Sequence, residues 1–254
     1  MNSIILCEGQ DDLWFISYYL FKRAGWTIDK KPDIHKWGFL VTPTNDHQQV
    51  EFLRKDGNGI AIWCVGGKDC FEEAVKTSIQ TYVMEIPSKA TNSIVIVRDR
   101  DDDDENDILI KICSWLPGIV EIKNKETTEY SVKCENGENA YTHITPIIIP
   151  FQEEGAIETL LINSVKQSCD AGQVVVDHAK KFVADFQKYE NVCQQYLPRK
   201  RLFLKAEFSS VVAITNPDHS TGLFQNMVMA CPWENSPYVK EHFDVILHAV
   251  SLPH

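Results

Sequence analysis

The sequence predicts an α/β fold in which a mostly parallel sheet is flanked by helices and followed by an antiparallel hairpin and a mainly helical C-terminal portion. In the first half of the chain, short runs rich in Val and Ile are each followed by an amphipathic helical pattern. The turn dipeptide Asn136-Gly137 separates two further runs of strand composition, and helical spacing dominates after Gly155. Alternating strands and helices are typical of parallel sheets, and Asn-Gly is typical of tight hairpins.

The first half of the chain contains three predicted strand-helix units. The strands cover residues 3–7, 59–65 and 93–98, and the helices cover residues 12–24, 71–82 and 105–115. Gly25 is a helix stop signal after the first helix. Residues 26–58 are predicted to be irregular, with one weak strand around Phe39 to Thr42.

The second half is predicted to begin with the hairpin and to continue as helices. The hairpin strands cover residues 128–134 and 140–149. Three apolar stripes at helical spacing follow: Ile157, Leu160, Leu161 and Val165; Val176, Ala179, Phe182, Phe186 and Cys193; and Val239, Phe243, Ile246 and Val250. We therefore expect a core of residues 1–121 and a hairpin-plus-helical extension of residues 122–254, packed together as one compact unit.

Composition indicates a soluble, cytoplasmic protein. A chain of 254 residues that is 44% hydrophobic can bury a large core. No apolar run has the length of a membrane span, and the N-terminus lacks the features of a signal peptide. The eight cysteines form no Cys-x-x-Cys pair, which favours reduced thiols over a disulfide framework or a zinc site. The oligomeric state stays open.

The net charge of −11 argues against a nucleic-acid partner without excluding one. Seven acidic residues lie between Asp99 and Asp107, so bound divalent cations would cancel much of the excess locally. A metal ion can also bridge protein carboxylates to phosphates. The charge is therefore compatible with nucleic acid if a metal is present.

A metal site is predicted where the apolar run Ile94–Val97 stops in Arg98-Asp99-Arg100-Asp101. In open α/β sheets, ligands bind beyond the carboxyl ends of the strands. Alternate strand residues point the same way, so Asp99 and Asp101 are expected on one side of the strand end. Their hard carboxylate oxygens suit Mg²⁺ or Mn²⁺.

Three strand-end motifs together resemble the Toprim domain of topoisomerases, bacterial-type primases and OLD-type nucleases (overcoming lysogenization defect). The motifs are Cys7-Glu8-Gly9, Val65-Gly66-Gly67 and Arg98-Asp99-Arg100-Asp101, in that order and each followed by a helix. The resemblance covers roughly the first half of the chain. It is strongest to small stand-alone bacterial Toprim-like proteins and to the OLD-type nuclease domain. The fold it implies is a Toprim-like sheet.

The resemblance implies roles for five acidic residues. Glu8 would act as a general acid or base or help to hold metal, and Asp99 and Asp101 would hold Mg²⁺. Asp12, in the first turn of the following helix, and Glu158, on a later helix, would add ligands as acids do in OLD-type nucleases. For both of these, an ordinary first-turn carboxylate favoured by the helix dipole is the alternative.

Five further residues are candidates for contacting substrate. Gly66 and Gly67 allow a tight turn beside the site, and Lys68 follows them. Lys200 and Lys205 belong to the main basic cluster, which could touch a phosphate backbone, although a solvated helix start is the alternative.

These observations lead to a first hypothesis and an alternative. The first is divalent-metal-dependent phosphodiester hydrolysis of nucleic acid by a Toprim-type nuclease. The alternative is a non-catalytic metal-binding or regulatory module, such as one subunit of a larger nucleic-acid or defence complex with a separate ATPase as partner protein. A nucleotide-binding domain is a weaker third hypothesis, because the chain has no phosphate-cradling loop.

Overall fold

Seven strands of the described residues form one mixed sheet. The computed structural model describes residues 2–33, 37, 40–84, 91–134, 136–219 and 224–251. The strands are β1 Asn2–Cys7, β2 Thr27–Ile28, β3 Gln49–Lys55, β4 Asn58–Cys64, β5 Ser93–Asp99, β6 Thr128–Lys133 and β7 Asn139–Ile149. Their order across the sheet is β2-β3-β4-β1-β5-β7-β6.

The centre of the sheet is parallel, and antiparallel pairs lie towards both edges. β1 pairs in parallel with both neighbours, so that Leu6 lies opposite Trp63 of β4 and Ile96 of β5. β3 is antiparallel to β2 and β4, and β6 is antiparallel to β7. The predicted fold class is confirmed, because the sheet is flanked by helices and carries the expected hairpin after its parallel strands.

Helices dominate the second half of the chain, as predicted. The α-helices of the described residues are α1 Gln10–Ala24, α2 Phe71–Ile79, α3 Glu105–Ser114, α4 Ile157–Ser168, α5 Asp170–Ala184, α6 Glu190–Tyr196, α7 Lys200–Thr215, α8 Phe224–Ala230 and α9 Pro237–Ala249. Gly25 ends α1 in the left-handed conformation with φ 72°, as its type predicts. None of these helices is long and apolar enough to cross a membrane.

The two faces of the central strands bury different side chains. Ile4 and Leu6 of β1 lie in a cluster with Phe71 of α2 and Ile112 of α3, and all four are fully buried. Because successive strand residues alternate, Cys7 of β1 points to the opposite face. Helix α1 packs against β3 and β4. The pleat therefore decides which strand-end side chains can meet one another.

The chain divides into two compact units. The first contains Met1–Ile148 and Phe243–His254, and the second contains Ile149–His242. The hairpin belongs to the first unit because β7 lies beside β5 in the sheet. For this reason the division differs from the sequence-based boundary between residues 121 and 122.

The C-terminal part of α9 belongs to the first unit through contacts with α1. The Phe15 and Phe243 rings meet edge to face with centroids 5.0 Å apart. The Tyr19 hydroxyl donates a hydrogen bond of 2.6 Å to Asp244. Val239, Phe243, Ile246 and Val250 are all buried, as their predicted helical spacing requires.

Two sequence-based assignments are wrong. Leu40–Thr42 are not in a strand, and Phe39, which began the predicted strand, lies outside the described residues. The longer strand of this region is instead β3, Gln49–Lys55, whose sequence does not alternate regularly between polar and apolar residues.

The predicted apolar stripe of α5 is also displaced. The helix buries Val176, Ala179 and Val183, whereas Phe182 is 58% exposed. The next buried residue after Ala179 is Val183, four positions later, instead of Phe182, three positions later. Either spacing fits a helix, because one helical turn contains 3.6 residues. Beyond Ala184 the chain changes to a 3₁₀ turn, so one stripe cannot continue to Cys193.

Candidate functional site

The three strand-end motifs lie side by side at the carboxyl ends of the parallel strands. β4, β1 and β5 are neighbours and parallel, so their carboxyl ends meet at the same edge. The Gly67 amide donates to the Glu8 carbonyl oxygen at 3.0 Å, which ties the turn after β4 to the end of β1. Asp99 is the last residue of β5. This is the edge at which open α/β sheets bind ligands.

Three carboxylates at this edge are buried close to the Cys7 thiol. Glu8, Asp12 and Asp99 are only 7%, 6% and 6% exposed. Burial raises the pKa of Cys7 well above its ordinary value, and the negative charges of Asp12, Asp99 and Glu8 raise it further. Three of the five predicted acids are thus buried in the neighbourhood of this thiol.

Asp12 stabilises the start of helix α1, which was the alternative interpretation of this residue. Its Oδ2 accepts a hydrogen bond of 2.8 Å from the Gly9 amide, and Gly9 is the N-cap of α1. This contact fixes the carboxylate next to the end of β1. A carboxylate has two oxygens and several lone pairs, so capping is compatible with a second contact.

The turn after β4 depends on two glycines. Gly66 has φ 90° and Gly67 has φ 124°, a region that side chains other than glycine rarely adopt. A Cβ at Gly66 would also lie 3.3 Å from the His47 backbone oxygen. The tight turn predicted here is present, and Lys68 begins the 3₁₀ turn that follows it. Substrate contact by these residues stays a prediction.

Asp101 lies two residues beyond Asp99, the last residue of β5. Its φ of 53° turns the chain, so the strand alternation that was expected to align Asp101 with Asp99 does not reach it. Its Oδ2 lies 3.9 Å from the Lys68 Nζ, which also lies 3.9 Å from Asp103. Asp101 therefore faces a lysine from the end of β4.

The sequence interpretation missed the role of Asp103. Its carboxylate accepts a hydrogen bond of 2.8 Å from Arg98, whose side chain is only 4% exposed. An arginine inside a buried strand needs an acidic partner, and that requirement was the available signal. The neighbouring Asp104 is the N-cap of α3, and its side chain accepts a hydrogen bond of 2.8 Å from the Asn106 amide.

In the second unit, the remaining predicted residues form ion pairs. Glu158 of α4 is 4% exposed at its side chain and pairs with Lys205 of α7 at 2.6 Å. Lys200 pairs with the exposed Glu154 at 3.0 Å. Each of these lysines therefore has an acidic neighbour from the segment that begins α4.

The donor chemistry at the edge of the sheet fits a hard divalent cation, since Glu8, Asp12 and Asp99 all offer carboxylate oxygens. Within the described ranges, no group of three His, Cys, Asp or Glu side chains is arranged to hold a metal ion. Mg²⁺ commonly uses one or two carboxylates and completes its shell with water or substrate phosphates. The residues fit this incomplete mode of binding better than a full protein cage.

Comparisons with known proteins support the fold and the family. A solved structure, "Crystal structure of hypothetical protein PH0156 from Pyrococcus horikoshii OT3", aligns with a TM-score of 0.51 and 18% identity over 98% of this chain and 94% of that one. No curated protein matches the chain significantly. Neither result bears on the Toprim resemblance. Residues 2–243 match the family described as "Protein of unknown function (DUF3226)". The chain therefore belongs to the DUF3226 family.

Proposed function

We propose that this protein hydrolyses phosphodiester bonds of nucleic acid with the help of Mg²⁺ or Mn²⁺. The observation that carries the proposal is the burial of Glu8, Asp12 and Asp99 around Cys7 at the carboxyl edge of β4, β1 and β5. A divalent cation at this place would supply positive charge to the buried carboxylates. The Toprim resemblance assigns the same edge to phosphodiester chemistry.

Each residue has a role that its surroundings support. Asp99 would bind the metal, because its strand position holds a hard oxygen donor at a buried place. The bound metal would supply Lewis-acid polarisation of a phosphoryl oxygen and lower the pKa of a water molecule. Glu8 would accept or donate the proton, and Asp12 would keep the helix start in place beside it.

The pair of Lys68 and Asp101 would serve the outer part of the site. Lys68 Nζ lies 3.9 Å from Asp101, and the side chains are 44% and 24% exposed. Contacts of this kind are weak and readily exchanged. A substrate phosphate could therefore take Lys68 as its partner and leave Asp101 to the metal.

The test is conservative replacement of the buried carboxylates. Asp99→Asn and Glu8→Gln should each lower cleavage of plasmid and single-stranded substrates by about 100-fold or more, the scale of general acid–base and metal contributions. Asp99→Asn should also abolish Mn²⁺ binding in calorimetry. Asp107→Asn on the exposed surface of α3 is the matched control and should behave like wild type. Full activity in both site variants would refute the proposal.

A second candidate is a metal-binding or regulatory module without turnover, for instance one subunit of a nucleic-acid or defence complex that works with a separate ATPase. This candidate is supported by ion pairs in which lysines already neutralise two of the predicted acids. Lys68 lies near Asp101, and Lys205 lies near Glu158. Metal-dependent nicking by purified wild-type protein would decide against this candidate.

We further propose a cytoplasmic location. All eight cysteines are free, and three of them are buried in the core. Free thiols persist in a reducing compartment. Fluorescence microscopy of a tagged full-length chain, with fractionation as a second measurement, would test this part of the proposal.

A further inference from the structure

One segment of the second unit reverses the charge of the rest of the chain. Residues 180–205 contain seven Lys and Arg but only two Asp and Glu, although the whole chain carries a net charge of −11. The segment includes the end of α5, the 3₁₀ turn Asp185–Lys188 and the helix α6. Lys200 and Lys205 pair with Glu154 and Glu158 from outside the segment, which leaves an excess of three positive charges. Such an excess attracts polyanions even when the protein as a whole is acidic.

A row of aromatic rings lies within this segment. The Phe182 and Phe186 rings have centroids 5.2 Å apart, and the Phe186 and Tyr189 rings have centroids 6.4 Å apart. Phe182 and Tyr189, the two ends of the row, are 58% and 51% exposed. These rings therefore present apolar surface to solvent instead of filling the core.

Lysines accompany this aromatic row. Lys188 Nζ lies 5.5 Å from the centroid of the Tyr189 ring, and Lys181 is exposed next to Phe182 in the chain. The contact of Lys188 with Asp185, at 3.3 Å, is a solvent-exposed pair of the kind that contributes little. Both ammonium groups can therefore turn to a ligand at low cost.

We infer that Phe182, Phe186 and Tyr189, with Lys181 and Lys188, form a binding surface for single-stranded nucleic acid. Every base has a π-face that can stack on an aromatic ring, and the lysines would contact the phosphates between the bases. Base pairs in a duplex are already stacked, so they cannot use the exposed rings in this way. A surface that binds a polyanion needs cations beside its rings. An apolar docking face for another protein does not need them.

The inference deepens the proposed function, because it rests on nucleic acid as the substrate of that site and specifies the single-stranded form. It also separates the lysines of the segment by role. Lys200 and Lys205 have acidic neighbours in Glu154 and Glu158. Lys188 lies beside the Tyr189 ring, and Lys181 is the exposed chain neighbour of Phe182. These are the two lysines that we assign to phosphate contact.

The experiment measures fluorescence anisotropy of labelled DNA and RNA oligonucleotides with full-length protein in EDTA, so that binding is observed without cleavage. Phe182→Ala and Tyr189→Ala should each weaken binding about tenfold, which is within the range for loss of one base–aromatic stack. Lys181→Glu and Lys188→Glu should also weaken binding. Each should lower the slope of log K against log salt by about 0.7, the value for one phosphate contact in a single strand.

Two exposed residues of the first unit provide matched controls. Tyr141→Ala removes a ring that is 48% exposed, and Lys55→Glu reverses an exposed charge. Both should bind like wild type. A duplex of the same sequence should bind more weakly than the single strand, and the DNA and RNA arms would show which sugar is preferred.

The inference is overturned if wild type does not bind single strands, or if the ring variants bind as well as the controls. It is also overturned if the ring variants change only self-association in sedimentation, since the surface would then join copies of the chain. If binding holds while neither wild type nor any variant cleaves, the proposed hydrolysis fails and this inference stands.

Discussion

The eight thiols of the chain lie in very different electrostatic surroundings. Burial and the neighbouring acids raise the pKa of Cys7 well above its ordinary value of 9.0. Cys169, by contrast, is exposed and is the N-cap of α5. A hydrogen bond from the Gly172 amide, 3.4 Å from its Sγ, lowers the pKa of Cys169, and a contact with Ser168 lowers it further. We therefore expect Cys169 to react as a thiolate and Cys7 to remain unreactive.

Alkylation should follow this order. At neutral pH a thiol with a lowered pKa contains more thiolate, which is the nucleophile. Iodoacetamide at limiting concentration should modify Cys169 first and leave Cys7 unmodified in the folded protein, as read by peptide mass spectrometry. Cys169→Ser should remove the first labelled peptide without exposing another. Early labelling of Cys7 would contradict the buried acidic surroundings described for it.

The ion pair of Glu158 and Lys205 gives a second residue-scale prediction. Lys205→Met would leave a carboxylate with 4% side-chain exposure beside a neutral neighbour. Since the lysine is itself 36% exposed, the expected loss of unfolding free energy is about 1–3 kcal/mol, below that of a fully buried pair. Urea denaturation in EDTA would measure it.

A double variant separates charge from packing in this pair. Glu158→Gln with Lys205→Met removes both charges and should recover most of the lost stability. Lys200→Met breaks the exposed pair with Glu154 and should cost less than about 1 kcal/mol. Equal losses in the Lys200 and Lys205 variants would contradict the burial argument.

For single residues, the sequence predicted the positions that depend on strand ends and failed where the chain turns. Glu8 and Asp99 could be predicted because they directly follow or end β-branched runs. The turn of the chain at Asp101 could not be predicted, because it depends on a positive φ at a residue type that adopts it only in some contexts. The pairing of Arg98 with Asp103 was equally hidden within a run of similar acids.

At the scale of elements, β3 was missed because polar residues interrupt its pattern. Glu51 lies in the middle of the strand yet is only 9% exposed. The Ser17 hydroxyl of α1 donates a hydrogen bond to its carboxylate. A buried acid in a strand is understood only once the partner on a distant helix is known, and a local pattern does not contain that information.

Glu51 should make the contact of α1 with β3 sensitive to pH. Burial raises its pKa above the ordinary value of 4.5, although the hydrogen bond from Ser17 lowers it. The folded state therefore holds a proton that the unfolded state has already lost, so stability falls as pH rises from about 4.5 to the raised pKa.

Glu51→Gln should remove this pH dependence, because the amide keeps an acceptor for Ser17 and cannot ionise. The variant should be more stable than wild type at neutral pH, with a difference that shrinks towards pH 4. Thermal denaturation across pH would measure both. Glu129→Gln on the exposed surface of β6 is the matched control. A difference that does not change with pH would contradict the assignment.

For the whole molecule, the alternation of strands and helices was sufficient to predict the fold class. The division into two units was not predictable, because residues from Phe243 onward return to the first unit. Contacts such as the one between Phe15 and Phe243 join positions far apart in the chain. Periodicity identifies a buried face of a helix but does not identify what covers it.

The proposed metal should change the stability of the whole protein in a way that depends on Asp99. Glu8, Asp12 and Asp99 are buried near one thiol, so removing one charge should leave the metal-free protein as stable as wild type or more so. A ligand at 100 times its Kd stabilises a protein by about 2.7 kcal/mol, which raises Tm by roughly 5–10 °C for a chain of this size. Wild type and the control Asp107→Asn should show this rise with Mn²⁺, and Asp99→Asn should not. In EDTA, Asp99→Asn should be at least as stable as wild type, and calorimetry would measure both conditions. The same rise of Tm with Mn²⁺ in all three proteins would place the cation elsewhere.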